Sequence, residues 1–308
     1  MLTQSAIIRA EKVFKTIYNR AVGEMAVTSP FIALGKLASE IKSDSPEEDY
    51  RWLGTMPLFT EWLGDITVED LKDYEYTIKN KHFAAAVGID RDELEDDKFG
   101  LIIPRIESLA FRALMHRGRQ VHDLIVNGIT YLAFDNLPFF DDVGGLRLND
   151  NLLAGTIHLT VPTIAQVTAD IDTMRQAMMN FVDDKGEIIG LAPDTFVVSP
   201  MCERLFREVA ESTASPTIDY SSGVKNIFKG WIKQIIVDPA ITAADANDFY
   251  GFCTDYPIQA LVFQNRQERE TWLDDTNKNV NKKLVFGADY RAGYGYSLPQ
   301  LAAKVVAA

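Results

Sequence analysis

The sequence predicts an α+β fold, and three stretches of the chain support that prediction. Residues 74–82 alternate between two faces, as expected of a half-buried strand. Residues 99–127 repeat apolar side chains at the spacing of an amphipathic helix. A second unit begins near Thr160, where helical patterns are followed by short apolar runs typical of buried strands. The 308 residues, 47% of them hydrophobic, are enough for about two globular domains.

The first 49 residues are predicted to be an N-terminal arm. Residues 1–41 have a moderately helical pattern that is interrupted around Pro30, and residues 42–49 are polar and predict a loop. The apolar positions of the helical part do not form a clear core of their own, so we expect the arm to pack on another part of the molecule. These positions are Ile7, Ile8, Val13, Phe14, Ile17 and Val22.

The strand at 74–82 places two tyrosines and an isoleucine on one face and polar side chains on the other. Its predicted partner lies near residues 51–53, which leaves residues 55–71 as an insertion between them. An insertion of this length is longer than ordinary loops and is usually functional.

Residues 99–127 are predicted to form one long helix. An acidic run at 90–97 precedes it, where a helix N-terminus favours negative charge, and Pro104 is tolerable in the first turn. At 1.5 Å per residue the helix would be about 40 Å long, which makes it the natural spine of the fold. Gly118 falls on its apolar stripe. The other members of the stripe are Ile103, Ile106, Ala110, Leu114, Val121 and Ile125.

The second unit is predicted to begin with a helix that Pro162 opens and that ends before a turn at 183–186. A buried strand follows at 195–199, and Ser199 with the next proline provides the N-cap and first-turn signals of a helix that runs to Glu211. The apolar face of the first helix consists of Ile164, Val167, Ile171, Met174, Met178 and Phe181. After a polar loop at 212–222, strand-like runs occur at 231–237, 260–264 and 284–296.

Charge and cysteine content argue against several classes of function. A net charge of −13 is unlike proteins that grip a phosphate backbone, since those carry clustered Lys and Arg. Cys202 and Cys253 lie outside any CxxC or Cys/His spacing, so we expect free, buried cysteines rather than a zinc or redox site. The chain shows neither a signal-peptide pattern nor a run of about 18 apolar residues, so we expect no secretion signal and no membrane span.

The sequence shows no pattern of catalytic or ligand-binding residues. The acidic run departs from an EF-hand loop because Leu94 and Glu95 occupy a ligand position and the glycine position. His116 and His122 are six residues apart, which does not place them on one helix face. Nucleophile-elbow, P-loop and Rossmann motifs are absent, and the Gly-Tyr-Gly at 293–295 is expected to serve strand packing. We therefore predict that the protein is not an enzyme and has no cofactor and no metal.

The aromatic residues around the insertion have two interpretations. They could belong to an ordinary core, or they could form an arm that buries its aromatic side chains against a neighbouring subunit. Aromatic residues are favoured anchors at interfaces because each buries a large area with few rotatable bonds. The candidate inter-subunit contacts are Trp52, Phe59, Trp62, Tyr74, Tyr76, Lys79, Lys81 and Phe83.

Several segments resemble the major head subunit of Mu-like tailed phages and prophages, in the same order along most of the chain. The first block comprises Trp52-Leu-Gly54, Pro57, Glu61-Trp62, Gly64, residues 74–78, Asn80-Lys81, Phe83, Val87-Gly-Ile89, Arg91-Asp92 and Glu95-Asp-Asp97. Later matches are Phe139-Phe-Asp141 and residues 286–295. The chain departs from the family pattern after Asp141, where Asp142-Val-Gly-Gly145 replaces a Thr-Asp-His-Pro-like run.

The resemblance implies the tailed-phage major capsid fold of the Hong Kong ninety-seven type. On that fold, residues 1–49 would be the N-terminal arm and 50–89 the extended loop. Residues 90–159 would form the peripheral domain with its spine helix, 160–237 the axial domain, and 238–308 the return to the peripheral domain. The implied function is that of a major capsid protein, which self-assembles through hexamers and pentamers into an icosahedral head around double-stranded DNA.

The same resemblance implies scaffold, portal and decoration proteins as partners, and a location in the virion after assembly in the host cytoplasm. DNA would be enclosed without sequence-specific binding, and no membrane would be involved. Some relatives crosslink through a lysine of the extended loop, and Lys79 and Lys81 are available here. Two alternatives stay open: an encapsulin-like bacterial compartment shell with the same fold, and a soluble hydrolase whose site the motifs do not reveal.

Overall fold

The structure is a computed structural model. It describes residues 4–24, 29–50, 76–96, 99–142, 147–158, 160–183, 185–213, 225–241, 245–276 and 282–308. The helices are α1 (Gln4–Glu24), α2 (Pro30–Gly35), α3 (Arg91–Glu95), α4 (Phe99–Val126), α5 (Ile164–Met179) and α6 (Glu203–Glu211). The strands are β1 (Ala38–Lys42), β2 (Glu47–Asp49), β3 (Thr77–Lys79), β4 (Lys81–Asp90), β5 (Leu152–Ala154), β6 (Thr195–Val198), β7 (Gln234–Val237), β8 (Phe249–Phe252), β9 (Leu261–Asp274), β10 (Lys283–Tyr296) and β11 (Ala302–Val306).

One sheet has the strand order β1-β9-β10-β4. Its two long strands, β9 and β10, form an antiparallel hairpin, and β4 pairs with β10 along its full length. Helices α1 and α4 share a core with this sheet, in which Phe14 and Ile106 are fully buried beside Phe286. The predicted arm therefore has its core on the spine helix and the sheet, as expected from its lack of a core of its own.

The spine helix is confirmed, because α4 is a single helix of 28 residues and thus about 42 Å long. Its apolar stripe also includes Ile102, which is fully buried where the predicted Ile103 is only partly buried. Pro104 lies in the second turn rather than the first. Because proline has no N–H to donate to the carbonyl four residues earlier, one intrahelical hydrogen bond is missing there.

The second sheet has the order β5-β11-β8-β6-β7 and packs with α5 and α6. The predicted helix is confirmed as α5, with Val167, Ile171, Met174 and Met178 buried. It begins with a capping box in which Thr163 and Gln166 each accept a hydrogen bond from the other's backbone N–H. Sheet and helices meet in a core of large aromatic side chains. Its fully buried members include Phe196, Phe206, Phe249, Tyr250 and Phe252.

The structure corrects three local predictions. The helical pattern over 1–41 ends early, because residues 38–42 form β1, parallel to β9. The strand predicted at 74–82 is interrupted at Asn80, and its described part β3 pairs with β2, whereas the predicted partner at 51–53 lies outside the described residues. The helix predicted from Ser199 begins at Glu203, after a turn in which the Cys202 N–H donates to the Ser199 carbonyl at 3.2 Å.

The assignment of 160–237 to an axial domain and of 238–308 to the peripheral domain stays a prediction, and the strands after residue 237 are divided between the two sheets. Residues 238–308 contribute β9 and β10 to the four-stranded sheet, but β8 and β11 belong to the five-stranded sheet. The five-stranded sheet is therefore built from the consecutive strands β5 to β8 together with β11. None of the described helices is both long and apolar enough to cross a membrane.

Candidate assembly site at the loop base

The segment 51–75 leaves and rejoins the described part of the chain at one place. There β2 and β3 pair antiparallel, with Glu47 opposite Lys79. The Tyr50 N–H donates to the Tyr76 carbonyl at 2.9 Å, which extends this ladder to both ends of the segment. We call residues 43–50 and 76–83 the loop base. Trp52, Phe59, Trp62 and Tyr74, four of the predicted inter-subunit contacts, lie outside the described residues.

Two tyrosines hold the loop base on the four-stranded sheet. The Tyr50 hydroxyl donates to Gln264 Oε1 at 2.9 Å, and the Tyr296 N–H donates to the Tyr76 hydroxyl at 2.9 Å. Burial, aided by Glu48, raises the pKa of Tyr50 to about 12. Burial also raises the pKa of Tyr76. Both hydroxyls therefore stay protonated near neutral pH and act as fixed hydrogen-bonding groups.

The turn that precedes β2 is organised around the carboxylate of Glu48. This carboxylate accepts the Ser43 hydroxyl at 2.9 Å, the Asp44 N–H at 3.1 Å and the Ser45 N–H at 3.2 Å. The Asn80 amide donates to the same turn, at 3.0 Å to Ser43 Oγ. The hydrogen bond from Ser43 is the main cause that lowers the pKa of Glu48. The turn is thus stabilised by an ionised carboxylate.

Glycines in β10 permit the close approach of the loop base to the sheet. A Cβ on Gly293 would lie 2.6 Å from Ile78 Cγ2, and a Cβ on Gly295 would lie 2.5 Å from Ile78 Cδ1. Neither distance is sterically possible, so both positions require glycine as long as Ile78 keeps its place. The packing role predicted for Gly293 and Gly295 is confirmed.

Phe83 joins the other side of the loop base to the spine helix. Its ring centroid lies 4.7 Å from that of His116 and 5.3 Å from that of Tyr290. The Tyr290 and Tyr294 hydroxyls are hydrogen-bonded at 3.1 Å. Burial, with a contribution from Arg119, lowers the pKa of His116, so its imidazole is neutral at pH 7. Phe83, like Tyr76, therefore packs on its own subunit, and a contact of either with a second subunit stays a prediction.

The two lysines lie on the solvent side of the loop base. The Lys79 side chain is 77% exposed, with Nζ 3.8 Å from Glu47 Oε2, and Lys81 is also exposed. Beside them lies a cleft of about 270 Å³ that Asp123 and Tyr131 also line. Exposed apolar side chains follow directly after the spine helix, namely Ile129, Tyr131 and Leu132. Lys79 and Lys81 of the loop base thus line one surface cleft together with Tyr131 and Leu132.

The described residues contain no group of three His, Cys, Asp or Glu side chains placed to hold a metal ion. Cys202 and Cys253 are free and buried, as predicted, and burial raises the pKa of both thiols. The contacts described at the loop base are packing contacts, hydrogen bonds and the exposed pair of Lys79 with Glu47.

Sequence reasoning missed Gln264, which connects the loop base to the sheet. It is fully buried, and its amide donates to Ser43 Oγ at 3.3 Å and to the Ile78 carbonyl at 3.4 Å. A detectable signal was present, because Gln264 directly follows three apolar residues of a buried strand. An amide in such a run must find partners inside the protein, since a buried polar group without hydrogen bonds is costly.

Comparisons with known proteins agree with this architecture. A model of the family "Mu-like prophage major head subunit gpT" matches residues 8–151 and 238–308. The major capsid protein of Escherichia phage Mu is 33% identical over 106 residues, which cover 34% of this chain and 35% of that protein. The Mu-like prophage FluMu major head subunit of Haemophilus influenzae is 36% identical over 106 residues, 34% of each chain. The matched stretch thus spans about a third of the length of these curated relatives.

A solved structure extends the likeness to the whole fold. A chain of the procapsid of bacteriophage JBD30 superposes with a TM-score of 0.54 at 20% identity, covering 99% of this chain and 76% of that one. The fold is therefore the tailed-phage major capsid fold of the Hong Kong ninety-seven type, as the resemblance implied. Because the family model also matches well over half of the residues, the chain belongs to the Mu-like prophage major head subunit family.

Proposed function

We propose that this chain is the major capsid protein of a tailed phage, which self-assembles into the icosahedral head that encloses double-stranded DNA. The observation that carries the proposal is the loop base. Its strand pair brings together Tyr50 and Tyr76, the residues that flank segment 51–75, close to the exposed Lys79 and Lys81. We infer that this segment contacts a neighbouring copy and that hexamers and pentamers form through such contacts. A closed shell of one chain requires contacts in which different surfaces of each copy meet.

Membership of a family of head subunits supports a structural role rather than an enzymatic one. It also favours DNA over the protein cargo of an encapsulin-like shell. The partners that follow from this role are scaffold, portal and decoration proteins during assembly in the host cytoplasm, and the location is then the virion. The net charge of −13 suits a wall that encloses DNA without sequence-specific binding, because like charges on wall and DNA repel.

The experiment that tests the proposal compares the native chain with a variant that lacks residues 55–71. The native chain should form closed shells visible by negative-stain electron microscopy. The deletion variant should stay at the size of a capsomer or smaller in size-exclusion chromatography. Its circular dichroism spectrum should show that the helices and strands of the rest of the chain are still formed. A third variant, in which 55–71 is scrambled, keeps the length and composition of the segment and should also fail to close.

Normal shells from the deletion variant would show that the segment is not an assembly element. If the native chain forms no particle under any condition of salt and concentration, the capsid proposal itself fails. Shells that carry protein and no nuclease-protected DNA after expression with the packaging genes would favour the compartment-shell alternative.

A further inference from the structure

A cleft of about 230 Å³ lies where α1, α4, β4, β9 and β10 meet. Three arginines line it: Arg112 and Arg119 from the spine helix and Arg269 from β9. All three side chains are exposed. We call this cleft the arginine pocket. Much of its remaining lining is apolar and consists of Phe83, Ala84, Ala85, Ala113 and Ala288.

The three arginines have no carboxylate partner among the described residues, in contrast to a neighbour on the same helix. Arg117 Nη1 is 3.0 Å from Glu40 Oε2. An unmatched cluster of this kind is unexpected in a chain with a net charge of −13. Since unpaired like charges repel one another, a bound anion would stabilise the three arginines.

The remaining titratable groups at the pocket leave its positive charge uncompensated. Asp289 lines the pocket, but its Oδ2 is 2.8 Å from His82 Nε2 and is thus already engaged. His116 is neutral at pH 7, because burial and Arg119 lower its pKa. Burial raises the pKa of Tyr290, so its hydroxyl carries no charge either. The pocket therefore offers an excess of cationic donors to an incoming ligand.

A buried hydroxyl provides an independent observation that points to a ligand. Tyr18 lines the pocket, is only 3% exposed, and its hydroxyl has no hydrogen-bond partner among the described residues. Burial raises the pKa of Tyr18, although Arg269 opposes the shift, so the hydroxyl remains a donor. A buried donor without an acceptor is costly. An anionic oxygen in the pocket would accept from this hydroxyl and pair with the arginines.

The donors of the pocket favour a phosphate monoester. Such a group carries nearly two negative charges at pH 7 and has three oxygens that accept strong hydrogen bonds. The planar guanidinium of arginine matches two of these oxygens with parallel N–H donors. A phosphate inside a DNA strand carries only one charge and belongs to a polymer that is too large for this cleft. The pocket therefore fits the terminal phosphate of a small molecule better than a nucleic-acid backbone.

The apolar lining indicates what the phosphate is attached to. Pockets for small molecules usually combine a mostly apolar lining with a few polar groups that fix the orientation of the ligand. An inorganic phosphate ion would leave the alanines and the Phe83 ring in contact with water. A flat aromatic group would cover them, and removing this apolar surface from water would favour binding.

We propose that the arginine pocket binds a small phosphate monoester that carries a flat aromatic group, which is the chemistry of a nucleoside monophosphate. The phosphate pairs with Arg112, Arg119 and Arg269 and accepts a hydrogen bond from the Tyr18 hydroxyl. The aromatic group lies on the alanine lining. The inference goes beyond the proposed capsid function and does not rest on it, because every residue that it uses belongs to one subunit.

The test is isothermal titration calorimetry of adenosine monophosphate with the full chain, at concentrations where chromatography shows free subunits. We expect one molecule to bind per chain. Ribose 5-phosphate and inorganic phosphate lack the aromatic group, and adenosine lacks the phosphate. Each of these three ligands should bind at least about tenfold more weakly, since each loses one of the two kinds of contact.

Variants of the chain test the role of the arginines. Arg269→Gln should weaken binding of adenosine monophosphate about tenfold, the effect of one lost charge-assisted hydrogen bond. Arg269→Lys retains the charge without the planar fork and should bind between the native chain and Arg269→Gln. Arg204→Gln is the matched control, because Arg204 lies on α6 and already pairs with Glu208 at 3.3 Å. It should leave binding unchanged.

Tyr18→Phe distinguishes a contact with the ligand from a role in folding. It should weaken binding about threefold, because the phosphate loses one hydrogen bond. The melting temperature of the ligand-free variant should be no lower than that of the native chain, because the removed hydroxyl has no partner there. A lower melting temperature together with unchanged affinity would show that this hydroxyl serves the core and not a ligand.

The series of ligands on the native chain keeps the test decisive even if a variant fails to fold. Absence of binding by adenosine monophosphate would overturn the inference, as would equal affinities for adenosine monophosphate and ribose 5-phosphate. Native affinity in Arg269→Gln would also overturn it. If an unphosphorylated duplex oligonucleotide displaces adenosine monophosphate from the native chain but binds Arg269→Gln weakly, the pocket is a site for the nucleic-acid backbone and the assignment is wrong.

Discussion

The two sheets differ in how completely the subunit covers them. In the five-stranded sheet every residue of β6 and β8 is buried, and α5 and α6 complete the core. In the four-stranded sheet Ile89 is the one buried residue among the ten of β4, and β9 is buried over 261–264 but not over 265–274. The first sheet can thus be stable within one subunit, whereas the second leaves a large part of its surface uncovered.

From this difference we expect the five-stranded sheet to determine the stability of the subunit and the four-stranded sheet to determine its assembly. The core of the five-stranded sheet consists of contacts within one chain, so we expect its substitutions to unfold the subunit. The loop base lies on the four-stranded sheet, so we expect exposed substitutions there to leave a folded subunit that assembles poorly.

The largest effect on stability is expected in the five-stranded sheet. Phe196 is 1% exposed, and its ring packs on Phe206 and Phe249 at centroid distances of 6.1 and 6.2 Å. Phe196→Ala should lower the free energy of unfolding by about 4 kcal/mol, since it removes a fully buried ring and leaves a cavity. Phe83→Ala in the half-covered sheet is the control and should cost about half as much, because Phe83 is only partly buried. Urea unfolding of free subunits measures both, and equal losses would contradict the comparison.

A smaller effect is expected where the spine helix crosses α2. A Cβ on Gly118 would lie 1.7 Å from the Phe31 carbonyl oxygen, a backbone atom that cannot turn away. Gly118→Leu should therefore separate the two helices and lower the free energy of unfolding by about 3 kcal/mol.

Gly100 offers a matched control in the same helix, since a Cβ there would meet nothing within 4 Å. Gly100→Ala should raise the melting temperature slightly, because alanine favours a helix over glycine by about 1 kcal/mol. An unchanged melting temperature in Gly118→Leu would show that α2 does not pack on the spine.

The elements that sequence predicted best have regular, long patterns. The apolar spacing of α4 and α5 placed both helices within a few residues of their observed ends. Gly118 was correctly placed on a packed face, although its partner α2 was not foreseen. A helical stripe shows which face is buried, but it carries no information about what covers that face.

The failures came from short and non-local elements. β8 and β11 were not predicted, and they are strands of four and five residues whose place in the sheet depends on pairing with distant parts of the chain. β1 was assigned to a helical pattern, although its parallel pairing with β9 makes it a strand. Tertiary pairing overrides local propensity in such short segments.

The smallest effect is expected at the loop base, where the stability contributed by Glu48 should depend on pH. The pKa of Glu48 is lowered in the folded state, mainly by the hydrogen bond from Ser43. A carboxylate with a lowered folded pKa contributes stability that is present above its unfolded pKa, near 4.5, and is lost as pH falls through the folded value. Glu48→Gln should therefore reduce stability at pH 6, and the reduction should become smaller as the pH falls toward 3.

The exposed Glu47 on the same strand is the control for this change, because its carboxylate oxygen lies 3.8 Å from Lys79 Nζ in an exposed pair of little energetic weight. The test is to measure the free energy of unfolding in urea at pH 3 and pH 6 for the native chain, Glu48→Gln and Glu47→Gln. A loss that is the same at pH 3 and pH 6 would mean that the shape of the Glu48 side chain, and not its charge, organises the turn. A pH-dependent loss confined to Glu48→Gln would show that the turn at the loop base is held by an ionised carboxylate.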